Sequence, residues 1–400
     1  MNSKELEAEL HSILDYWARE VYDEEMQLFI GRTDNKGRQI KQSPLGLVLY
    51  SRILWAFSAG FAATGQAVYK ERAKRCYLLL KDYFYDREYG GFYWSVQVDG
   101  EPLSQRKQIY GQAFVLYGLV EYYRISGHQQ VLQEAWQQFE WIEKYSSDHA
   151  SGGYLDAFER DWSPIQDMRL SLKDMNAAKT MNTHLHILEA YTSLFSVSGD
   201  ARAGSGVKAL LNIFNERIMD PQKGYLNLYF SREWESMAGI QSYGHDMEAS
   251  WLLLEAIDAV YRDGEAPAGL VAMCYQLAEA ARRGLLSDGS MACESVWGQI
   301  DRERHWWIQA EAAVGFRRLA VGAQRADYRA LSERLWNYIV QEIKDPVHGE
   351  WFWGRDEQGE VLWLEDKTGL WKGPYHNTRA CLELLKLLKM EEDAAEDGRK

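Results

Sequence analysis

The sequence predicts an all-α protein built as a single (α/α)6 barrel, six helical hairpins with short β-hairpins or loops at one rim. Three observations carry that expectation. Short glycine-plus-aromatic segments recur at Gly90-Gly91-Phe92-Tyr93-Trp94, Gly152-Gly153-Tyr154-Leu155, Gly224-Tyr225-Leu226, Asp288-Gly289-Ser290 and Gly349-Glu350-Trp351-Phe352-Trp353, roughly 60–70 residues apart, a repeat-scale period. Two helical stretches lie between successive segments, and the first of each pair runs into a short polar break such as Ser126-Gly127-His128, Ser198-Gly199-Asp200 or Arg262-Asp263-Gly264. The stretches also alternate between one-sided and nearly all-round apolar character, as the outer and inner helices of a closed ring would.

In chain order the helices are expected near 5–21, 47–63, 67–85, 108–125, 129–145, 178–197, 202–218, 243–261, 266–284, 305–320, 325–344 and 374–390. The first is amphipathic from the fourth residue of the chain. Residues 47–63 (LVLYSRILWAFSAGFAA) are apolar around most of the circumference and belong inside. Residues 129–145 put Val131, Leu132, Trp136, Phe139 and Ile142 on one side and glutamines and glutamates on the other, as an outer helix does. In 178–197 a turn of about 100° per residue gathers Asn182, His186, Glu189 and Ser193 into one polar stripe. His184 falls about 160° from His186, inside the apolar arc, and reads as a satisfied core histidine rather than half of a metal pair. Residues 243–261 are again inner. The last helix opens after Pro374, which a first turn tolerates, and carries His376 at the rim. Residues 1–390 show no linker-like break and form the barrel, and residues 391–400 (EEDAAEDGRK) read as an acidic solvated tail.

Composition narrows the function classes. With 46% hydrophobic and 26% charged residues and only 7 prolines in 400 residues, the chain is a packed globular protein, not a disordered one. Its net charge of −14 disfavours nucleic acid and anionic membrane surfaces as partners. The N-terminus has no apolar signal region and no stretch reaches the ~20 apolar residues of a membrane span, so a soluble, cytoplasmic protein is expected. Cys76, Cys274, Cys293 and Cys381 lie far apart without a CxxC pair and are expected to be free, mostly buried thiols. The 16 Trp and 24 Tyr fit either aromatic barrel packing or flat apolar faces for sugar rings.

A site in such a barrel is made by the cavity-facing side chains of the inner helices. His186, His245, His376, Arg52, Asn182, Tyr110, Glu248, Glu311 and several tryptophans are the candidates. His245 and Glu248, three apart, share a face, as do Trp307 and Glu311, four apart. Each pair alone is weak evidence, because a lone arginine or histidine inside a barrel is more often a structural ion-pair partner. Three imidazoles leave a zinc site open, and the pair Glu248 and Glu311 leaves an inverting glycoside hydrolase open. Imidazoles facing each other across a cavity, with an arginine and an amide nearby, suit proton abstraction beside a carbonyl. One histidine removes the proton and the other returns it on the opposite face, while Arg52 and His186 hold the enediolate oxygens. Neither the GxGxxG nor the GxxxxGK[ST] fingerprint of a nucleotide site is present.

The segments SRILWAFSAGF (51–61), KQIYGQAFVLYGLVEY (107–122), MNTHLHILEAY (181–191), GHDMEASWLL (244–253), WWIQAEA (306–312) and DKTGLWKGPYHN (366–377) resemble the cellobiose 2-epimerases of the N-acylglucosamine 2-epimerase superfamily. The resemblance runs in order from about residue 30 to 390. It implies a monomeric (α/α)6 barrel that interconverts glucose and mannose at the reducing end of β-1,4-linked disaccharides such as cellobiose and lactose, with no metal or organic cofactor. It implies His245 and His376 as the acid/base pair and His186 as the third imidazole, helping ring opening and holding the open-chain sugar. By the same resemblance Arg52, Tyr110, Asn182 and Glu248 bind the reducing-end sugar, Trp307 and Trp371 are platforms for the two rings, and Glu311 stands beside them. Ile308 occupies a position where the family commonly has proline and is expected to face away from sugar. The rival readings are a mannose or N-acetylglucosamine epimerase or isomerase of the same superfamily, and a non-catalytic sugar-binding protein.

Overall fold

Tight turns that begin on an aspartate set the frame. At Asp86, Asp148, Asp220 and Asp345 the carboxylate accepts backbone N–H groups two or three residues on. The N–H of the glycine four residues later, Gly90, Gly152, Gly224 or Gly349, donates to the aspartate carbonyl. Lys107, Lys179 and Lys367, all fully buried, reach back to Asp86, Asp148 and Asp345 and neutralise them. These turns are the recurring glycine segments of the sequence, and short antiparallel strands extend them. Pairs such as Leu45–Gly46 with Ser95–Val96, Lys107–Gln108 with Ala157–Phe158 and Lys179–Thr180 with Tyr229–Phe230 lie immediately before inner helices.

The computed structural model describes residues 1–261, 265–323 and 325–397. Among them, six inner helices are α2 (Leu47–Thr64), α4 (Ile109–Ser126), α6 (Met181–Ser198), α8 (Tyr243–Val260), α10 (Trp306–Ala323) and α12 (Tyr375–Asp397). Six outer helices are α1 (Ser3–Tyr16), α3 (Ala67–Leu79), α5 (Gln129–Trp141), α7 (Ala201–Ile213), α9 (Ala268–Ala281) and α11 (Ala326–Tyr338). Five of the outer helices relax into a π-helical turn and α9 into a 3₁₀ turn. Each inner helix packs on the next, α12 returns to α2, and each outer helix backs an inner one, with α1 closing against α12. The sheets have two or three strands each and none closes. This is the expected (α/α)6 barrel.

Several sequence expectations need adjusting. Gly127 ends α4 with a left-handed φ of 67°, as the break there predicts, whereas the Arg262-Asp263-Gly264 break lies outside the described residues. Gln138 of α5 was assigned to the solvent side but is buried, because its amide donates to Gln112 Oε1 of α4 at 2.8 Å. The last helix does not stop at 390. It runs through Asp397, and Glu391 pairs with Arg317 and Arg329, while residues 398–400 lie outside the described residues. Leu47–Thr64 is, by length and composition, apolar enough to cross a membrane, contrary to the expectation that no stretch would be, yet it is the enclosed helix α2. Cys76, Cys274 and Cys381 are buried free thiols and Cys293 is partly buried.

His184 belongs to a repeated device. The fourth residue of five inner helices bonds the backbone of the preceding turn, two residues after its left-handed position. Tyr50 donates to the Phe29 carbonyl at 2.6 Å. Gln112 and Gln309 each accept from and donate to one residue, Phe92 and Met291. Asp246 accepts the Leu226 N–H at 2.9 Å, and His184 Nε2 accepts the Tyr154 N–H at 3.0 Å. His184 Nδ1 lies 2.7 Å from the Thr180 carbonyl, which fixes the neutral Nδ1–H tautomer. A Cβ on Gly153 would sit 2.8 Å from that Nε2, so only glycine brings the turn this close.

Burial pushes the His184 pKa down to about 4. Unfolding therefore takes up a proton between pH 6.5, the unperturbed imidazole value, and about pH 4. The stabilisation is complete above that window and is lost as pH falls through it. His184→Gln should cost about 1–3 kcal/mol at pH 7.5. Urea unfolding should show that gap closing by pH 4.5, since only the wild type loses this linkage, worth up to ~3 kcal/mol. A gap independent of pH would contradict the neutral, pinned imidazole.

Candidate active site

The six inner helices point their N-termini at one end of the barrel, where their partial positive charges converge on a cavity of about 840 Å³. Nine of the ten sequence candidates line it: Arg52, Tyr110, Asn182, His186, His245, Glu248, Trp307, Trp371 and His376. They occupy the second, third or sixth positions of their helices, except Trp371, which comes from the loop before α12. Glu311 does not reach the lining. It lies behind His376, fully enclosed, one turn after Trp307 on α10. Ile308 is buried against Gly244 and faces away from the cavity, as expected.

Each cavity imidazole is held by its Nδ1. His186 Nδ1 meets Glu189 Oε2 at 3.0 Å, His245 Nδ1 meets Ser242 Oγ at 2.8 Å, and His376 Nδ1 meets Glu311 Oε1 at 2.6 Å. None of the three Nε2 atoms has a hydrogen-bond partner among the described residues. The Trp307 ring packs near two of the imidazoles, its centroid 4.8 Å from His245 and 5.8 Å from His376. Burial pushes the His245 pKa down to about 4. Burial, and next the Arg52 guanidinium, hold His376 well below the ordinary imidazole value. Both rings therefore stand neutral near pH 7, the form that accepts a proton.

Arg52 donates to the Tyr110 hydroxyl at 2.9 Å and to the Trp371 carbonyl at 3.0 Å, so it fastens the Trp371 loop to the helix wall. Its guanidinium also lies 4.5 Å over the Phe114 ring. Burial raises the Tyr110 hydroxyl to about 12, which keeps it a donor. Asn182 leaves its side-chain oxygen unpartnered at the cavity, ready for a ligand hydroxyl.

Sequence reasoning did not single out what lies underneath. Arg379 of α12, 2% exposed, donates to Glu189 and to the Tyr375 hydroxyl, and at 2.7 Å to both Glu248 and Glu311. Its signal was present, a charged residue three after His376 on the buried face of an inner helix. The segment Leu170–Asp174, Glu303, His305 and Trp353 also line the cavity, brought there by loops that no helical period reports. Glu248, Glu311 and His376 bring ligand atoms within 4.8 Å of one another, a spacing that suits a metal ion. The place of a cation beside these carboxylates is already filled by the Arg379 guanidinium. Nor do Glu248 and Glu311 flank open space as a hydrolase pair must, since Glu311 is sealed behind His376.

The fold and site define a class, an (α/α)6 barrel with three imidazoles gathered at the N-termini of its inner helices. The sequence pattern of the N-acylglucosamine 2-epimerase (GlcNAc 2-epimerase) family matches residues 29–380. A cellobiose 2-epimerase of Bacteroides fragilis is 43% identical over 96% of this chain and 98% of its own length. The solved structure of cellobiose 2-epimerase from Bacillus thermoamylovorans superposes with a TM-score of 0.92 at 35% identity, covering 96% of this chain and 98% of that one. A D-mannose isomerase structure shares the fold at a TM-score of 0.85 and 19% identity, covering 96% and 98% of the two chains. The chain belongs to the N-acylglucosamine 2-epimerase family.

Proposed function

We propose that this protein is a cellobiose 2-epimerase, an isomerase that inverts C2 of the reducing-end glucose of β-1,4-linked disaccharides without a cofactor. The observation that carries the reading is the pair His245 and His376. Both pack close to Trp307, each held through Nδ1 with Nε2 left for a ligand. The near full-length identity to named cellobiose 2-epimerases supports it.

In this reading His186 assists ring opening by moving a proton between the ring oxygen and O1, which exposes a C1 aldehyde. One of His245 and His376 takes the C2 proton, and the C–H electron pair moves into an enediolate whose negative charge settles on O1. Arg52, His186 and the converging helix N-termini stabilise that charge. The other imidazole, neutral in the empty site, takes up a proton from solvent before this step and returns it to the opposite face, so the pair ends with protonation states exchanged. Glu311 against His376 Nδ1 is the partner a charged His376 needs. Tyr110, Asn182 and Glu248 bind hydroxyls of the reducing-end sugar, with Trp307 as its platform. Trp371 at the mouth covers the outer ring. The enzyme acts as a cytoplasmic monomer on a small-molecule substrate, with neither nucleic acid nor membrane as a partner.

Two measurements check the reading. Cellobiose turned over in heavy water by metal-free protein should give glucosyl-mannose carrying deuterium at C2, because the returned proton comes from a different imidazole. Product that retains the original C2 hydrogen would refute the two-imidazole route. Trp371→Ala removes the outer platform yet spares the backbone carbonyl that holds Arg52. Loss of about 1–3 kcal/mol of apolar contact should lower kcat/KM on cellobiose roughly 5–150-fold and leave glucose and mannose little changed. An unchanged disaccharide-to-monosaccharide ratio would instead favour a monosaccharide enzyme.

A further inference from the structure

Three buried carboxylates converge on one guanidinium beneath the cavity, and each serves a different part of it. Glu189 holds His186, Glu311 holds His376, Glu248 lines the cavity itself, and Arg379 donates to all three. We propose that Arg379 is a positioning residue for catalysis, keeping Glu311 anionic so that His376 carries its ring proton on Nδ1 and presents a bare Nε2 to the substrate. This rests on the epimerase reading of the cavity.

The chemistry is that of a tautomer. An anionic Glu311 accepts the Nδ1–H, which leaves the Nε2 lone pair facing the cavity as a base. A protonated Glu311 donates to Nδ1 instead, the ring proton moves to Nε2, and the base is lost. Three carboxylates this close and out of water cannot all stay charged without a counterion. Burial drives the Glu311 carboxyl up, and the largest influence opposing it is Arg379. The Trp251 indole N–H, 3.1 Å from the second oxygen, donates as well but supplies no charge. The remaining charged or titratable groups around His376 are Arg52 of α2, Tyr110 of α4, His186 and Glu189 of α6, His245 and Glu248 of α8, and Tyr375 of α12, whose ring centroid is 4.9 Å away. All are retained when Arg379 alone is changed.

The test compares wild type, Arg379→Met and Arg379→Lys by ¹⁵N imidazole spectra and by kcat–pH profiles on cellobiose. Wild type should show His376 as the Nδ1–H tautomer. Arg379→Met should show the Nε2–H form, a kcat at least ~10²-fold lower with KM little changed, and an acid limb moved to higher pH. Arg379→Lys, which restores the charge, should return the tautomer, the acid limb and most of kcat. An Arg379→Met protein with wild-type tautomer and pH profile overturns the proposal, as does Arg379→Lys failing equally with only its melting temperature lowered. If Arg379→Met does not fold, Glu311→Gln removes the carboxylate charge itself at nearly constant volume, and wild-type kcat and pH profile there would overturn it too. Wild-type protein inactive on every sugar would sink the epimerase reading, and the spectra would still decide the role of Arg379.

Discussion

The rotational setting of each inner helix is the constraint on which the site depends. In five of the six it is fixed by a hydrogen bond between the helix's fourth side chain and the turn that precedes it. Tyrosine, glutamine, histidine, aspartate and glutamine do this in turn at Tyr50, Gln112, His184, Asp246 and Gln309. At about 100° per residue the fourth position lies about 160° from the second and the sixth. Fixing the fourth residue on the outside therefore aims the second and sixth at the axis. Tyr110, Asn182, Trp307 and His376 are second residues, and Arg52, His186, Glu248 and Glu311 are sixth residues. The sixth hairpin departs from the pattern. Thr378 makes no such bond, and Asn377 and Lys372 anchor on Glu350 instead, which also accepts from Trp17 of the first outer segment and so joins the two ends of the chain.

Much of this was legible in the sequence because it is local. The glycine-aromatic spacing gave the number of hairpins, helical periodicity separated inner from outer helices, and the divergence of His184 and His186 followed from two residues of helical turn. The aspartate that opens four of these turns, four residues before the glycine, is equally local, but an isolated aspartate in a polar loop has no pattern that marks it as a turn-former. What sequence could not give was long-range. Gln138 is buried because of Gln112 on another helix, and Glu311 faces His376 rather than the cavity because α12 crosses behind it. The Leu170–Asp174 wall comes from a loop with no period to read.

Beneath the imidazoles, burial and ion pairing work against each other. Arg379 and its three glutamates are all nearly or fully enclosed, an arrangement that contributes little to stability once desolvation is subtracted. Its return is geometric. Two imidazoles are fixed through carboxylates that share one guanidinium, so His186 and His376 are set relative to each other although they sit on different helices. His245 is held differently, by the neutral Ser242 hydroxyl. The proposed acid/base pair is therefore unequal, one imidazole backed by a carboxylate and the other not.

The central claim is that a C2 carbon is held between these two imidazoles. A crystal structure with cellobiitol, the open-chain alditol of cellobiose, tests it most directly. The account predicts C2 within about 3–3.5 Å of both His245 Nε2 and His376 Nε2, on opposite faces, with the outer glucose on Trp371. An alditol bound with C2 near only one imidazole, or with its open chain toward the cavity mouth, would contradict it.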